Sequence, residues 1–311
     1  MDAVFVFSTQ GAQWPGMGRR LYANDRVFRH SLDACEDEIE KQQAWSLSDE
    51  LVKDDAAYRL HDDPMYILPA LTAIQIGLCA YLAASRLQPV AVIGLSMGEV
   101  AAAHVAGVLS LPDALRIVCC QARLTAQPLR PGRMVVVRLP AADAHAIART
   151  VQDVTVAIEL SPGLSVLSGY APAVDDTVRL LAAQEVECIP VNICSAFHSS
   201  EVRPLENEFK ASLGDIRPRP GSVPIYSSVS GAAETGADFN TDYWWRIMSG
   251  PAFFSRAVTA VIRAGHKLFV EVGPSTLAAP IHETAHLLGE EVTTLAAISR
   301  NGSEEVMLQP A

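Results

Sequence analysis

Residues 94–98 read Gly94-Leu95-Ser96-Met97-Gly98, a G-x-S-x-G pattern. It follows the apolar run "PVAVIG" and precedes the alanine-rich stretch "MGEVAAAHVAGVLS". A serine between a strand and a helix sits on a sharp turn that exposes its hydroxyl, as a nucleophile requires. The helix behind it begins with unpaired N–H groups and a partial positive charge. The Met97 amide is therefore placed to stabilise the oxyanion formed when Ser96 attacks a carbonyl. Such a serine needs a base. Of the eight histidines, His198 in "CSAFHSS" stands out, because it follows a strand end at a domain junction, where clefts collect ligands. His282 is the rival: it lies beyond the strand end "VEVGPS", late in the chain, as in hydrolases ordered serine, acid, histidine. His266 and His286 share that late position. His30, His61 and His145 lie in polar surroundings and read as surface residues, and His104 reads as packed or solvent-facing.

These residues need a mixed α/β framework to hold them. "AVFVF" (3–7) predicts a buried strand that runs into the polar loop 8–13. A helix is predicted over 67–85 and a strand over 89–94. A further helix covers "LPDALRIVCCQARL", opened by Pro112 and Asp113. Beyond the linker "QPLRPGR" the rhythm changes. Strand 133–139, helix 141–151, strands 154–160 and 164–169, helix 171–184 and strand 186–193 give a β-α-β-β-α-β order, the ferredoxin-like arrangement. The expected architecture is an α/β-hydrolase-like large domain, discontinuous over 1–131 and 197–311, with a ferredoxin-like small domain inserted at 132–196. After it, "PIYSSVSG", a helix around 251–264 and "KLFVEVGP" resume the α/β texture.

Half of the 311 residues are apolar and 19% are charged, the profile of a folded chain with a sizeable core. A net charge of −11 argues against nucleic acid as the main partner. The six cysteines, Cys35, Cys79, Cys119, Cys120, Cys188 and Cys194, form no C-x-x-C pair and read as free thiols in a reducing compartment. The N-terminal stretch lacks a signal-peptide pattern. The most apolar region, 66–95, is broken by Pro69, Gln75, Arg86 and Pro89, so it reads as a buried helix and strand and not as a membrane span. A cytoplasmic protein with no membrane partner is expected, and the methionine just before the first strand points to a discrete chain.

Taken together, several motifs spread over nearly the whole chain resemble the malonyl-CoA:acyl-carrier-protein transacylase and polyketide synthase acyltransferase family. "FSTQGAQWPGMG" is similar to its opening loop, and "GLSMGEVAAAHVAGVLSLPDAL" to its nucleophile motif and helix. "SAFHS" resembles the segment bearing the base, "YWWRIMSGPAFF" the Y-W motif and "FVEVGPSTL" the E-x-G-P strand end. The resemblance implies that Ser96 is acylated, that His198 is its base, oriented by a backbone carbonyl, and that the amides of Gln10 and Met97 form the oxyanion hole. It also implies ping-pong transfer with no bound cofactor. The substrate is the phosphopantetheine thioester of a carrier protein, or CoA; the partner is an acyl carrier protein; a monomer is expected.

The departures bear on the cargo. Malonyl-loading members hold the free carboxylate with an arginine twenty-five residues beyond the nucleophile, and counting from Ser96 gives Gln121. Arg123, two residues on, is turned about 200° away on a helix. A neutral amide does not neutralise a buried carboxylate. Leu95 replaces the usual histidine, Thr9 replaces a glycine, and Leu160 and Ile247 stand where asparagine is frequent, while Phe197 is retained. The expected acyl pocket is therefore Leu95, Gln121, Leu160, Phe197 and Ile247. Its cargo is an uncharged group, such as an aminoacyl or dipeptidyl starter carried by a trans-acting member without the arginine. The alternatives are an acyl-carrier hydrolase, a malonyl transacylase, a carrier-binding module without catalysis, and an unrelated hydrolase using His282. Because carrier proteins are acidic, docking is expected at Arg130, Arg133, Arg138 and Arg203, with Arg246 and Arg300 weaker.

Overall fold

The computed structural model describes residues 2–299 except 56, 61, 62, 128, 192 and 194, so His61, Cys194 and Arg300 lie outside the described residues. The chain begins with β1 (Ala3–Phe7), α1 (Arg19–Asn24), α2 (Arg26–Glu40), α3 (Leu47–Val52), α4 (Pro64–Ala84), β2 (Pro89–Gly94), α5 (Gly98–Val105) and α6 (Leu111–Thr125). Next come β3 (Gly132–Val137), α7 (Ala141–Ala148), β4 (Val154–Ser161), β5 (Leu164–Tyr170), α8 (Ala171–Ala182) and β6 (Cys188–Pro190). A 3-10 turn (Ser200–Leu205) leads into α9 (Glu206–Leu213), β7 (Ile225–Ser227) and β8 (Ala232–Glu234). The chain closes with α10 (Thr241–Ser249), α11 (Phe254–Arg263), β9 (Leu268–Val272), α12 (Ala278–Leu287) and β10 (Thr293–Ala296).

Six strands form one sheet in the order β10-β9-β1-β2-β7-β8. All its pairings are parallel except β7 with β8. β1 lies inside it and every one of its residues is buried, which is why its sequence is uninterruptedly apolar. In a parallel sheet the carboxyl ends of neighbouring strands point the same way, and ligand sites collect there. Here the ends of β1, β2, β7 and β9 lead into loop 8–13, Ser96, Ser228 and segment 273–277. α4 is long and apolar enough to cross a membrane, but most of it is buried inside the protein.

The second sheet has the order β4-β5-β3-β6 and is antiparallel. Val135, Val137, Val154, Val156, Leu167, Val174 and Leu181 form a small core with α7 and α8. Alternation along β3 then turns Met134 and Val136 to the opposite face, toward a cavity. In β4 a simple alternation would leave Val156 and Ile158 on the same face. A register shift between them inserts Ala157 and moves Ile158 and Leu160 to the cavity side. β4 is also tied to the large sheet's periphery. Ala252 exchanges backbone hydrogen bonds with Ala157 and Glu159 at 2.8 Å, and Arg256 holds the Glu159 carboxylate with two nitrogens.

Several elements differ from expectation. The strand expected over 186–193 is only Cys188–Pro190. Pro190 has no N–H for the ladder, and Val191 and Ile193 face the cavity. The polar region before residue 64 holds α1, α2 and α3, the latter two capped by Asp25 and Ser46 side chains on Phe28 and Asp49 N–H groups. The five described cysteines are unpaired, and all but Cys188 are buried.

The closest approach between layers lies under the Ser96 turn. A Cβ at Gly98 would stand 2.1 Å from the Phe7 carbonyl oxygen, which belongs to the backbone of the sheet's interior. We expect Gly98→Ala to cost about 3 kcal/mol or to prevent folding, read as a lowered urea midpoint. An unchanged midpoint would contradict this packing.

Candidate active site

Ser96 sits at φ 51°, in the left-handed region that few non-glycine residues adopt. Its neighbours hold it there. The Leu95 N–H donates to Phe7 O at 2.9 Å, and the Ser96 N–H donates to Ser228 Oγ at 3.3 Å. Gly94 permits the turn, since a Cβ there would lie 2.4 Å from the Glu99 backbone nitrogen. Strain of this kind persists only where the surroundings over-determine it.

His198 reaches Ser96 from the segment after β6, with its Nε2 2.8 Å from Ser96 Oγ. It too has a positive φ, 60°, fixed by its N–H donating to Met248 O at 2.8 Å. Its Nδ1 lies 2.7 Å from Gly250 O. A carbonyl can only accept, so Nδ1 carries the proton and Nε2 offers its lone pair to the Ser96 hydroxyl; the tautomer follows from these partners. Burial pushes the imidazole down to about 4, with the Gly250 carbonyl opposing in part. The ring is therefore neutral at pH 7 and able to take a proton.

Gln10 and Met97 line the same cavity as Ser96 and His198. Neither backbone N–H has a hydrogen-bond partner among the described residues. Two free donors beside the hydroxyl are what a developing oxyanion requires.

The cavity holds about 400 Å³. Leu95, Met134, Val136, Ile158, Leu160 and Phe197 dominate its walls, and no Asp, Glu, Lys or Arg lines it among the described residues. Two residues expected in the acyl pocket are not in the lining. Gln121 is fully buried on α6, which packs against α2, α4, α5 and α9. Neither of its amide atoms has a partner among the described residues. Ile247 is buried on α10 as part of the large hydrophobic core. Leu95, Leu160 and Phe197 do face the cavity.

The arginines separate into two groups. Arg130 pairs with Asp153 and Glu201, each at 3.3 Å, and stacks on Tyr170. Arg133 pairs with Asp175 at 3.0 Å, and Arg138 with Glu187 at 2.8 Å. Their charge is largely answered locally. Arg203 is exposed and lines a second, polar cleft that shares His198 with the apolar cavity. Arg246 lies over the Tyr243 ring. His282 is exposed, 3.0 Å from the Thr294 hydroxyl, and is not part of this site.

Two features escaped the sequence reading. The resemblance implied a backbone carbonyl behind His198 but not that it belongs to Gly250, which no side chain signals. Glu99 does have a signal: it is a lone carboxylate in a helix turn whose other positions are apolar. It is fully buried and accepts hydrogen bonds from the Ser228 N–H and Oγ, Ser227 Oγ and Tyr243 OH. Burial pushes it up to about 7 although these donors favour the carboxylate.

A serine at a strained strand-to-helix turn, a neutral histidine held by a carbonyl and two free amides are the parts that covalent acyl transfer requires. Comparison with known proteins agrees with that class. The family model for the acyl transferase domain matches residues 4–309. The chain is 34% identical over 302 residues to erythronolide synthase EryA2 of Saccharopolyspora erythraea, covering 96% of this chain and 8% of that protein. It is 36% identical over 299 residues to polyketide synthase GfsB of Streptomyces halstedii, covering 95% of this chain and 5% of that one. The chain thus spans less than a tenth of either curated relative. Among solved structures, the acyltransferase domain from module 8 of the salinomycin polyketide synthase matches with TM-score 0.93 and 32% identity, over 98% of this chain and 73% of that one. A loading acyltransferase from the avermectin modular polyketide synthase matches with TM-score 0.90 and 32% identity, over 96% and 94%. The chain belongs to the acyl transferase domain family of polyketide synthases and malonyl-CoA:acyl-carrier-protein transacylases.

The buried imidazole gives a direct check. The ring resonance that disappears in His198→Ala should titrate by NMR with a midpoint near 4. A midpoint near the ordinary 6.5 would contradict a desolvated base.

Proposed function

We propose that this protein transfers an uncharged acyl group through Ser96 to the phosphopantetheine thiol of an acyl carrier protein. In the first half-reaction His198 Nε2 takes the Ser96 proton as Oγ attacks the thioester carbonyl. The amides of Gln10 and Met97 receive the oxyanion. Collapse expels the thiolate, which takes the proton from His198, and leaves the acyl ester on Ser96. In the second half the carrier thiol gives its proton to His198 and its sulfur attacks the ester. Ser96 Oγ then leaves and recovers the proton. No cofactor has a role in either half.

The observation that carries the cargo assignment is the cavity wall. A malonyl carboxylate placed among Leu95, Met134, Ile158 and Leu160 would lose its hydration with no cation among the described residues of the lining to replace it. An aminoacyl ammonium would equally lack a carboxylate partner there, so an acyl group with no charge fits best. The likeness to a loading acyltransferase supports a chain-starting cargo. Arg203, beside His198, is the favoured contact for an acidic carrier. We further infer that residues 132–196 form a ferredoxin-like unit inserted into an α/β-hydrolase-like body, so that the cavity lies between the two.

Incubating the acylated protein with a holo-carrier protein tests the transfer. The acyl group should appear on the carrier by intact-mass spectrometry, whereas release as free acid would make the protein a hydrolase. His198→Ala should slow Ser96 acylation by about 10³-fold. Filling the cavity with Leu160→Trp should slow loading of acyl chains longer than butyryl by at least about tenfold and spare acetyl. Equal effects on both would remove the cavity from the acyl site.

A further inference from the structure

We propose that Glu99 is a positioning residue that fixes Ser96 and His198 relative to one another; the inference rests on the dyad reading above. Its carboxylate sits three residues after Ser96, in the first turn of α5, with no exposed surface. On one side Oε1 accepts from the Ser228 N–H and Oγ–H, both at 2.5 Å. The same Ser228 oxygen accepts the Ser96 N–H at 3.3 Å, so one hydroxyl separates Glu99 from the backbone of the nucleophile. On the other side Oε2 accepts from the Tyr243 hydroxyl on α10.

α10 carries the groups that place the base. Met248 O receives the His198 N–H at 2.8 Å, and Gly250 O, at its C-cap, receives Nδ1 at 2.7 Å. The Phe253 N–H closes the ring from behind by donating to Ser228 O at 2.5 Å. Two routes from one carboxylate thus meet again at the 2.8 Å contact between Ser96 Oγ and His198 Nε2.

A carboxylate is the group that can do this. It is acceptor-only and has capacity for several donors at once. Glutamine keeps the shape and one accepting oxygen, and its NH2 can donate to the Tyr243 oxygen. Alanine leaves the Ser228 N–H unpaired in the core and the Tyr243 hydroxyl with Ser227 Oγ, 2.7 Å away, in place of the carboxylate. A carboxylate that only satisfied buried donors would, when removed, cost stability and leave the rate of the folded protein unchanged. Removing one that sets the geometry of a reacting pair also lowers that rate, because misplacement by about 1 Å costs on the order of 10²-fold.

The test measures modification of Ser96 by a fluorophosphonate reagent, which needs the dyad but no particular acyl group, together with steady-state kinetics on an acyl thioester. Glu99→Ala should slow modification by about 10²-fold and lower kcat by a similar factor, with KM within about threefold. Glu99→Gln should recover most of the rate. Tyr243→Phe should slow modification by about tenfold, and added to Glu99→Ala it should cost nothing further, since both act through one link. Should Glu99→Ala fail to fold, Tyr243→Phe alone decides, and a wild-type rate overturns the proposal. It is also overturned if Glu99→Ala reacts within about threefold of wild type, or if the two substitutions multiply. An unreactive wild-type Ser96 would instead overturn the dyad reading, and the positioning role with it.

Discussion

Ser96 Oγ stands 2.8 Å from a neutral imidazole, and little of either residue is exposed. Burial lowers the affinity of His198 for a proton, so the lone pair is free at neutral pH. It also removes the solvent that would otherwise orient the ring. The Gly250 carbonyl takes over that task and needs no charge to do it. No aspartate contacts the ring among the described residues, so the orientation of His198 depends on where the end of α10 is held. The links from Glu99 through Tyr243, and from Ala252 to β4, are therefore part of the site although neither touches a substrate.

One wall of the cavity follows from how a single strand is built. β4 contributes Val156 to the small core and Ile158 to the cavity, and only the register shift at Ala157 makes both possible. The same stretch pairs with Ala252, next to the segment that orients His198. The cavity wall built by β4 and the support behind the His198 ring thus share a backbone. Substitution in one should be felt in the other, since residues in one packed network do not behave additively.

Much of this was readable in the sequence where a local rule forces one outcome. The run "AVFVF" reads as a buried strand, and the structure places it inside the parallel sheet. The β-α-β-β-α-β order of 132–196 showed in hydrophobic periodicity alone. Long-range packing was less legible. Gln121 was placed in the pocket by counting from Ser96, yet α6 is packed so that its side chain lies outside the cavity lining. The arginines near the junction read as a docking surface until their partners, Asp153, Asp175, Glu187 and Glu201, were seen across the fold. The partners of Glu99 were not legible, because its donors come from the end of β7 and from α10, more than a hundred residues away.

The cargo proposed for Ser96 is an uncharged acyl group. Offering the protein equimolar malonyl and butyryl thioesters, and reading the Ser96 adduct by intact-mass spectrometry at early times, tests this without reference to the acceptor. The butyryl ester should be the dominant adduct and should be lost in Ser96→Ala. A dominant malonyl ester on Ser96 would contradict that cargo.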